Sequence, residues 1–418
     1  MDSSYIYDVL PLDAPDEDAR WRQYVDVFRL TLLDTPPTEA QLEFFRRNRR
    51  KDDARLAMVT ASTPAGDNVV AGFSSIVGRY NAGAQDVPTL IINTVGVNPA
   101  HRRRGLLREL MTQQLRQAKA DGIPFATLSA SEHTIYGRFG FGPLTRVGET
   151  VVDLAKFRLR PEIPVAPGRV EWVEPGFLAE HYWRVVDAFH ERQLGSVRPY
   201  ARTFFEHTGQ WANDEQGPAK KLRAVAHFDE AGVVDGFATF ENPSWEPPRR
   251  AKVHALFGAT LGVEFALWQA LASMDLVEQL GYFTQPGDPL PLGLVDERAV
   301  KVKEVEDWTW LRILDLPAAI AARSFERDGE AIIRVTDALG HCEGTWHLTV
   351  LGGRGAATPT TETPRLELDV AELARVWESN DSPVALARLG RIRGEAAAIR
   401  DFAGLFHRAE PSRNLTGY

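Results

Sequence analysis

A single cysteine, Cys342, among 418 residues removes whole classes of chemistry. The chain cannot form an intramolecular disulfide or a cysteine-based zinc cluster, and such sparing use fits a reducing cytoplasm. The ten histidines contain no H-x-H or H-E-x-x-H pattern, and His190-Glu191 is followed by Leu194 where a second histidine ligand would sit, so no metal is expected. No run of about twenty uninterrupted apolar residues exists. The most apolar stretch, 255–277, is broken by Glu264, Gln269 and Asp275, so no membrane span is expected. The start, MDSSYIYDVLPLDAPDEDARW, is acidic and lacks the basic and then apolar regions of a signal peptide, which points to a cytoplasmic protein. With 57 acidic against 48 basic residues and a net charge of −9, a general nucleic-acid binder is disfavoured and a cationic amine substrate is compatible.

What is present is a chain of ordinary globular composition, 44% hydrophobic and 25% charged, long enough for two to four domains. Its most informative stretch is 95–110, VGVNPAHRRRGLLREL, where an apolar strand ending at Val95, Gly96 and Val97 meets a short basic loop and then a helix. Asn98-Pro99 closes the strand. From Gly105 apolar residues recur on one helical face at Leu107, Leu110, Met111, Leu115 and Ala118, and Gly122 supplies the stop. A helix N-terminus offers unpaired N–H groups and partial positive charge, so the turn from Arg102 through Arg103, Arg104, Gly105, Leu106 and Leu107 can hold phosphate oxygens.

The spacing Arg102-x-x-Gly105-x-Leu107 resembles the R/Q-x-x-G-x-G/A pyrophosphate loop of GNAT-type N-acetyltransferases, with Leu107 in place of the final small residue. Downstream, FATLSASEHTIYGRFGFG at 125–142 holds a strand, a polar turn and a Tyr136-x-x-x-Gly140-Phe141 element like the one those domains carry after their fifth strand. That fold implies fourth and fifth strands that splay apart to admit the pantetheine arm.

Helices are expected at 20–33 and 38–50, strands at 55–61 and 68–79, and a last strand of the first domain at 147–153. The proline-spaced segment around Pro161, Pro164 and Pro167 reads as a linker. Residues 169–297 repeat the layout, with strands at 169–173, 222–228, 233–241 and 250–260 and a helix near 177–194. Their strand-to-helix junction carries no R-x-x-G-x-G/A loop. The remainder opens on a strand at 308–313, followed by a helix, strands at 330–336 and 343–351, a Gly/Thr/Pro-rich loop at 352–364, another strand and two helices. The fold class is α+β, α/β mixed: an acetyltransferase domain at 1–155, a degenerate GNAT-like domain at 156–297 and a sterol-carrier-like domain at 298–418.

Four stretches together, HRRRGLLREL at 101–110, SASEHTIYGRFGFG at 129–142, QPGDPLPLGLVDERA at 285–299 and WTWLRILDLPAAIAAR at 308–323, resemble the enhanced-intracellular-survival (Eis) acetyltransferases over essentially the full length. The resemblance implies a homohexamer that transfers the acetyl group of acetyl-coenzyme A directly to an amine within a ternary complex. The amine is an aminoglycoside, another small amine or polyamine, or a lysine side chain. It places coenzyme contacts on Val95, Gly96 and Val97, on Arg103, Arg104, Gly105, Leu106, Leu107 and Arg108, and on Ser131 and Glu132. Tyr136 matches the family's general acid, and the C-terminal carboxylate of Tyr418 its general base. Gly417 stands where aminoglycoside-modifying members have an acidic residue, which leaves the amine open. The competing reading is a non-catalytic acyl-coenzyme A or lipid sensor, with the third domain as the ligand binder.

Overall fold

The computed structural model of the chain describes residues 4–64, 66–241 and 246–417. The chain divides into two units. One is built from the residues up to Leu144 together with Thr309–Ala409 and Gly417, the other from Thr145–Trp308 together with Glu410–Thr416.

The first unit holds a seven-stranded sheet in the order Tyr5–Leu10, Arg55–Thr63, Gly66–Asn81, Asp86–Val97, Phe125–Ser129, Thr309–Ile313, Gly142–Pro143. Asp86–Val97 and Phe125–Ser129 run parallel, and the other neighbours are antiparallel. Helices Ala19–Thr31 and Glu39–Lys51 connect its first strands, the second opening on a capping box between Thr38 and Gln41 that satisfies two otherwise orphaned donors. Helix Leu106–Ala120 buries Leu110, Met111, Leu115 and Ala118, as the sequence periodicity predicts, in a core with Phe73, Ile92 and Leu128; at the first turn it is Leu106 that is fully buried, and Leu107, expected on this face, is only partly buried against it.

The same unit carries a five-stranded sheet in the order Arg354–Pro359, Gly344–Leu351, Gly329–Thr336, Leu366–Asp369, Ile392–Gly394. The stretch expected as a loop at 352–364 therefore contains a strand. Gly352 and Gly353, with φ of 57° and 74°, make the tight turn that folds it back on Gly344–Leu351. This module packs closely on the seven-stranded sheet: a Cβ added at Gly142 would lie 2.0 Å from the Ala371 carbonyl oxygen. The contact is pinned by a fully buried ion pair in which Arg312 Nη2 donates to both Asp337 carboxylate oxygens at 2.7 Å. Burial opposes the Asp337 charge, but Arg312 and the amides of Cys342 and Leu339 overcome it and hold the carboxyl below its ordinary range.

The second unit has a seven-stranded sheet in the order Val300–Asp307, Arg146–Asp153, Gln279–Thr284, Arg250–Gly258, Val234–Glu241, Leu222–Phe228, Arg169–Val173. Its one parallel pair is Arg250–Gly258 with Gln279–Thr284, joined through helix Leu261–Ala272. Read from the other end, this is the strand order of the first unit, including the position of the parallel pair.

Two strands differ from the sequence expectation. The strand at 147–153, read as the last of the first domain, pairs with Gln279–Thr284 and Val300–Asp307 in the second unit's sheet. The strand at 308–313, read as opening the third domain, pairs with Phe125–Ser129 and Gly142–Pro143 in the first unit's sheet. Thr309–Ile313 is buried at every position, as a strand flanked on both sides requires. Its apolar character therefore announces an interior strand without naming the sheet. Among the described residues no helix is long and apolar enough to cross a membrane.

Candidate active site

Asp86–Val97 and Phe125–Ser129 pair only where Thr89, Leu90 and Ile91 meet Phe125, Ala126 and Thr127. Beyond Ile91 they part. The segment Val95-Gly96-Val97 keeps its ladder to Gly66–Asn81 on one edge and turns the other edge into the opening. The parting coincides with a bulge: the register with Gly66–Asn81 shifts between Gly72 and Ser74, and Thr94 takes a left-handed φ of 51°. Helix Ala19–Thr31 braces this irregular segment. The Tyr24 hydroxyl lies 2.9 Å from Thr94 Oγ1, and a Cβ at Gly96 would sit 2.9 Å from Phe28 Cα. Glycine at 96 is thus what lets the helix lie against the strand.

At the end of this strand the loop Arg102, Arg103, Arg104 is exposed, and Arg103 holds a left-handed φ of 63°. Gly105, with φ of 80°, is the N-cap of Leu106–Ala120 and contributes no side-chain cap. The first helical bond runs from the Glu109 N–H to the Gly105 carbonyl at 3.0 Å, so the N–H groups of Leu106, Leu107 and Arg108 precede the helical ladder. Arg108 leans over the same turn, its Nη2 being 3.5 Å from where a Cβ on Gly105 would stand. Leu107, the departure from the small-residue pattern, packs against the core and leaves the helix end open. Unpaired N–H groups, a helix dipole and the Arg108 guanidinium at a side-chain-free turn, with three exposed arginines just before it, fit the pyrophosphate of an acyl-coenzyme A.

Tyr5 is a member of this region that sequence reasoning missed. Arg104 Nη1 donates to its hydroxyl at 2.7 Å, and His101 Nδ1 lies 3.1 Å from the same oxygen. The first strand thereby ties the basic loop to the sheet. No local signal marks Tyr5, because its partners lie almost a hundred residues away.

Tyr136 ends a short helical turn, His133–Tyr136, and belongs to the same buried cluster as Leu106 and Leu128, with Val95, Val97 and Leu107 packed against it. Burial first, and the nearby Glu132 carboxylate second, push its phenol up to about 12. Glu132 accepts a hydrogen bond from Thr134 Oγ1 at 2.7 Å, and Ser131 and Glu132 are exposed in the turn beyond Phe125–Ser129. Gly140, with φ of 79°, allows Arg312 and Val370 to approach: a Cβ there would stand 2.7 Å from atoms of each. Cys342 is buried, its thiol donating to the Ile313 carbonyl at 3.2 Å, and burial pushes it up to about 12. It is no nucleophile at neutral pH.

Of the predicted residues, Val95, Val97, Leu106 and Leu107 thus share one cluster with Tyr136 in the first unit, while Arg103 and Arg104 lie exposed just before that helix and Ser131 and Glu132 lie exposed just before the turn of Tyr136. Tyr418 lies outside the described residues. The residues up to Thr416 are held within the second unit: Gln285 Oε1 accepts from the Asn414 N–H at 2.7 Å, Asn414 Oδ1 accepts from the Val197 N–H at 3.1 Å, and Thr416 Oγ1 donates to the Val197 carbonyl at 2.5 Å.

Comparison with known proteins agrees with this architecture. Residues 15–144 and 201–313 each match an acetyltransferase (GNAT) domain, and residues 316–413 match a sterol carrier protein domain. An uncharacterized N-acetyltransferase of Streptomyces avermitilis is 36% identical over 79% of this chain and 82% of its own length. The N-acetyltransferase Eis of Mycobacterium tuberculosis is 30% identical over 73% of this chain and 75% of its own. The crystal structure of Eis1 from Mycobacterium abscessus superposes with a TM-score of 0.83 over 99% of this chain and 100% of that one, at 24% identity. The chain is an acetyltransferase enzyme, its fold implies an acyl-coenzyme A cosubstrate, and it belongs to the Eis family of GNAT-type N-acetyltransferases.

Proposed function

We propose that the enzyme transfers an acetyl group from acetyl-coenzyme A to an amine, directly and within a ternary complex. The observation that carries this reading is the side-chain-free, uncapped helix start at Gly105 at the end of the parting strand. Acetyl-coenzyme A supplies the activated thioester. The N–H groups of Leu106, Leu107 and Arg108 and the guanidinium groups of Arg103, Arg104 and Arg108 hold its phosphates, while the open edge of Val95-Gly96-Val97 binds the arm and Ser131 and Glu132 border it. Direct transfer is favoured over an acyl-enzyme because the one thiol is buried and protonated.

Tyr136 serves as the general acid. A phenol near 12 stays protonated at any physiological pH. Handing its proton fully to a thiolate with the usual thiol pKa of about 8.5 is uphill by about 5 kcal/mol. Its action therefore starts as a hydrogen bond to the developing thiolate, and transfer completes as the attacking nitrogen gives up its own proton. The carboxylate of Tyr418 takes that second proton, through water if distance requires.

The amine is an aminoglycoside, a polyamine or other small amine, or a lysine side chain, acted on in the cytoplasm by a hexamer. Release of coenzyme A measured with kanamycin-type aminoglycosides, spermidine and lysine peptides tests the reading: release with at least one amine is expected, and none with any would overturn it. Appending a few residues after Tyr418 replaces the carboxylate with an amide, which should cut turnover while leaving acetyl-coenzyme A affinity intact. Full activity in the extended protein would remove Tyr418 from the mechanism.

A further inference from the structure

Val300–Asp307 is the outermost strand of the second unit's sheet, paired on one side with Arg146–Asp153 and solvent-exposed from Lys301 to Glu306. Its sequence, VKVKEVED, has basic residues in the first half and acidic residues in the second. Its register contains a bulge: Val302 faces Thr150 and Glu304 faces Glu149, so Lys303 is an extra residue between consecutive partners. Thr150 and Glu149 point to opposite faces of the sheet, so Val302 and Glu304 do as well, and Val305, opposite Gly148, returns to the face of Val302. Lys303 shares the face of Glu149, its ammonium lying 3.9 Å from that carboxylate. One face of the edge therefore carries Val302 and Val305, 49% and 57% exposed, and the other carries Lys301, Lys303, Glu304 and Glu306.

From Lys301 to Glu306 this pattern is symmetric about the point between Lys303 and Glu304 in apolarity and in facing and reverses sign there in charge; the outer pair, Val300 and Asp307, does not follow it. Antiparallel apposition of two copies about a two-fold axis at that point sets Val302 against Val305, Lys303 against Glu304 and Lys301 against Glu306, each pair on a common face. A regular strand cannot do this, because residues three apart point to opposite faces. The bulge is what brings the two valines to one side. Lysines and bulges are also devices that keep an edge unpaired, but protection alone gives no reason for two signs of charge to mirror each other across the bulge.

We infer that this edge is a self-association surface whose partner is the same strand of a second copy of the chain, the isologous contact that a two-fold demands. Alone it gives dimers, and in a hexamer it supplies the two-fold. The inference is independent of the catalytic reading, and its test reads mass rather than activity.

Sedimentation velocity of the full-length protein should give an even-numbered assembly that weakens as salt rises, since exposed charge pairs are screened. Lys301→Glu/Lys303→Glu makes the edge wholly acidic and Glu304→Lys/Glu306→Lys makes it wholly basic. Each variant alone should fall to half the parent mass or less with unchanged circular dichroism, and an equimolar mixture of the two should recover the parent mass. A monomeric parent, either variant keeping the parent mass, or a mixture that fails to reassemble would overturn the inference.

Discussion

The two strand-to-helix junctions of this chain have the same place in the same strand order, yet only one leaves a helix end available. In the first unit, Gly105 caps Leu106–Ala120 with no side chain, Arg108 leans over the turn, and Arg102, Arg103 and Arg104 lie exposed just before it. In the second, Thr260 caps Leu261–Ala272 with its own hydroxyl, accepting from the Val263 N–H at 3.3 Å. Glu264, in the first turn and buried, brings a carboxylate to the same helix end. Arg192 clasps that carboxylate and donates to the Gly258 carbonyl at 3.2 Å, while Arg413 reaches it at 3.1 Å. The second junction is thus satisfied from within: the chain's own hydroxyl and carboxylate do there what a ligand's phosphate would do at the first. Two domains can thus share a strand order while one helix end stays open and the other holds an internal partner.

This contrast can be broken at both junctions. Gly105→Glu should have the largest effect, abolishing acetyl-coenzyme A binding in a fluorescence or calorimetric assay, because a carboxylate would enter the turn at a φ that disfavours any side chain. Tyr136→Phe should lower turnover roughly 10²–10⁴-fold with little change in acetyl-coenzyme A affinity, the usual worth of a general acid. A variant within twofold of the parent would exclude that role. Because burial and Glu132 raise the Tyr136 phenol to about 12, turnover should show no loss from its deprotonation below about pH 10, which a kcat profile against pH can check. Glu264→Ala leaves Arg192 and Arg413 without their shared carboxylate and should cost roughly 3–5 kcal/mol of stability in denaturant titration, as broken buried ion pairs do. The smallest effect belongs to Thr260→Ala, a loss of about 1 kcal/mol for a missing N-cap, with acetyl-coenzyme A binding untouched.

Much of the functional junction was legible because it is local. Asn98-Pro99, the arginine run, Gly105 and the apolar periodicity of the helix lie within one short stretch, and each imposes its own conformation. The missing loop motif at the second junction was legible in the same way. What filled that junction was not, since Arg192 and Arg413 are distant in sequence from Glu264 and nothing near them announces a partner. Tyr5 and Tyr24 escaped for the same reason: each acts on the basic loop or the bulge through a contact across many residues. Strands 146–153 and 309–313 show a different limit. Both were read as strands, but an apolar strand reports that it will be buried and not against which neighbours, so their sheets had to come from pairing.

The claim that one helix end is open and its counterpart is filled is tested most directly by the stoichiometry of acetyl-coenzyme A binding, measured by isothermal titration of the full-length protein at known active concentration. The account predicts a single site per chain, lost entirely in Gly105→Glu. Two sites per chain, or binding by the Gly105→Glu protein with the parent's affinity and stoichiometry, would contradict it.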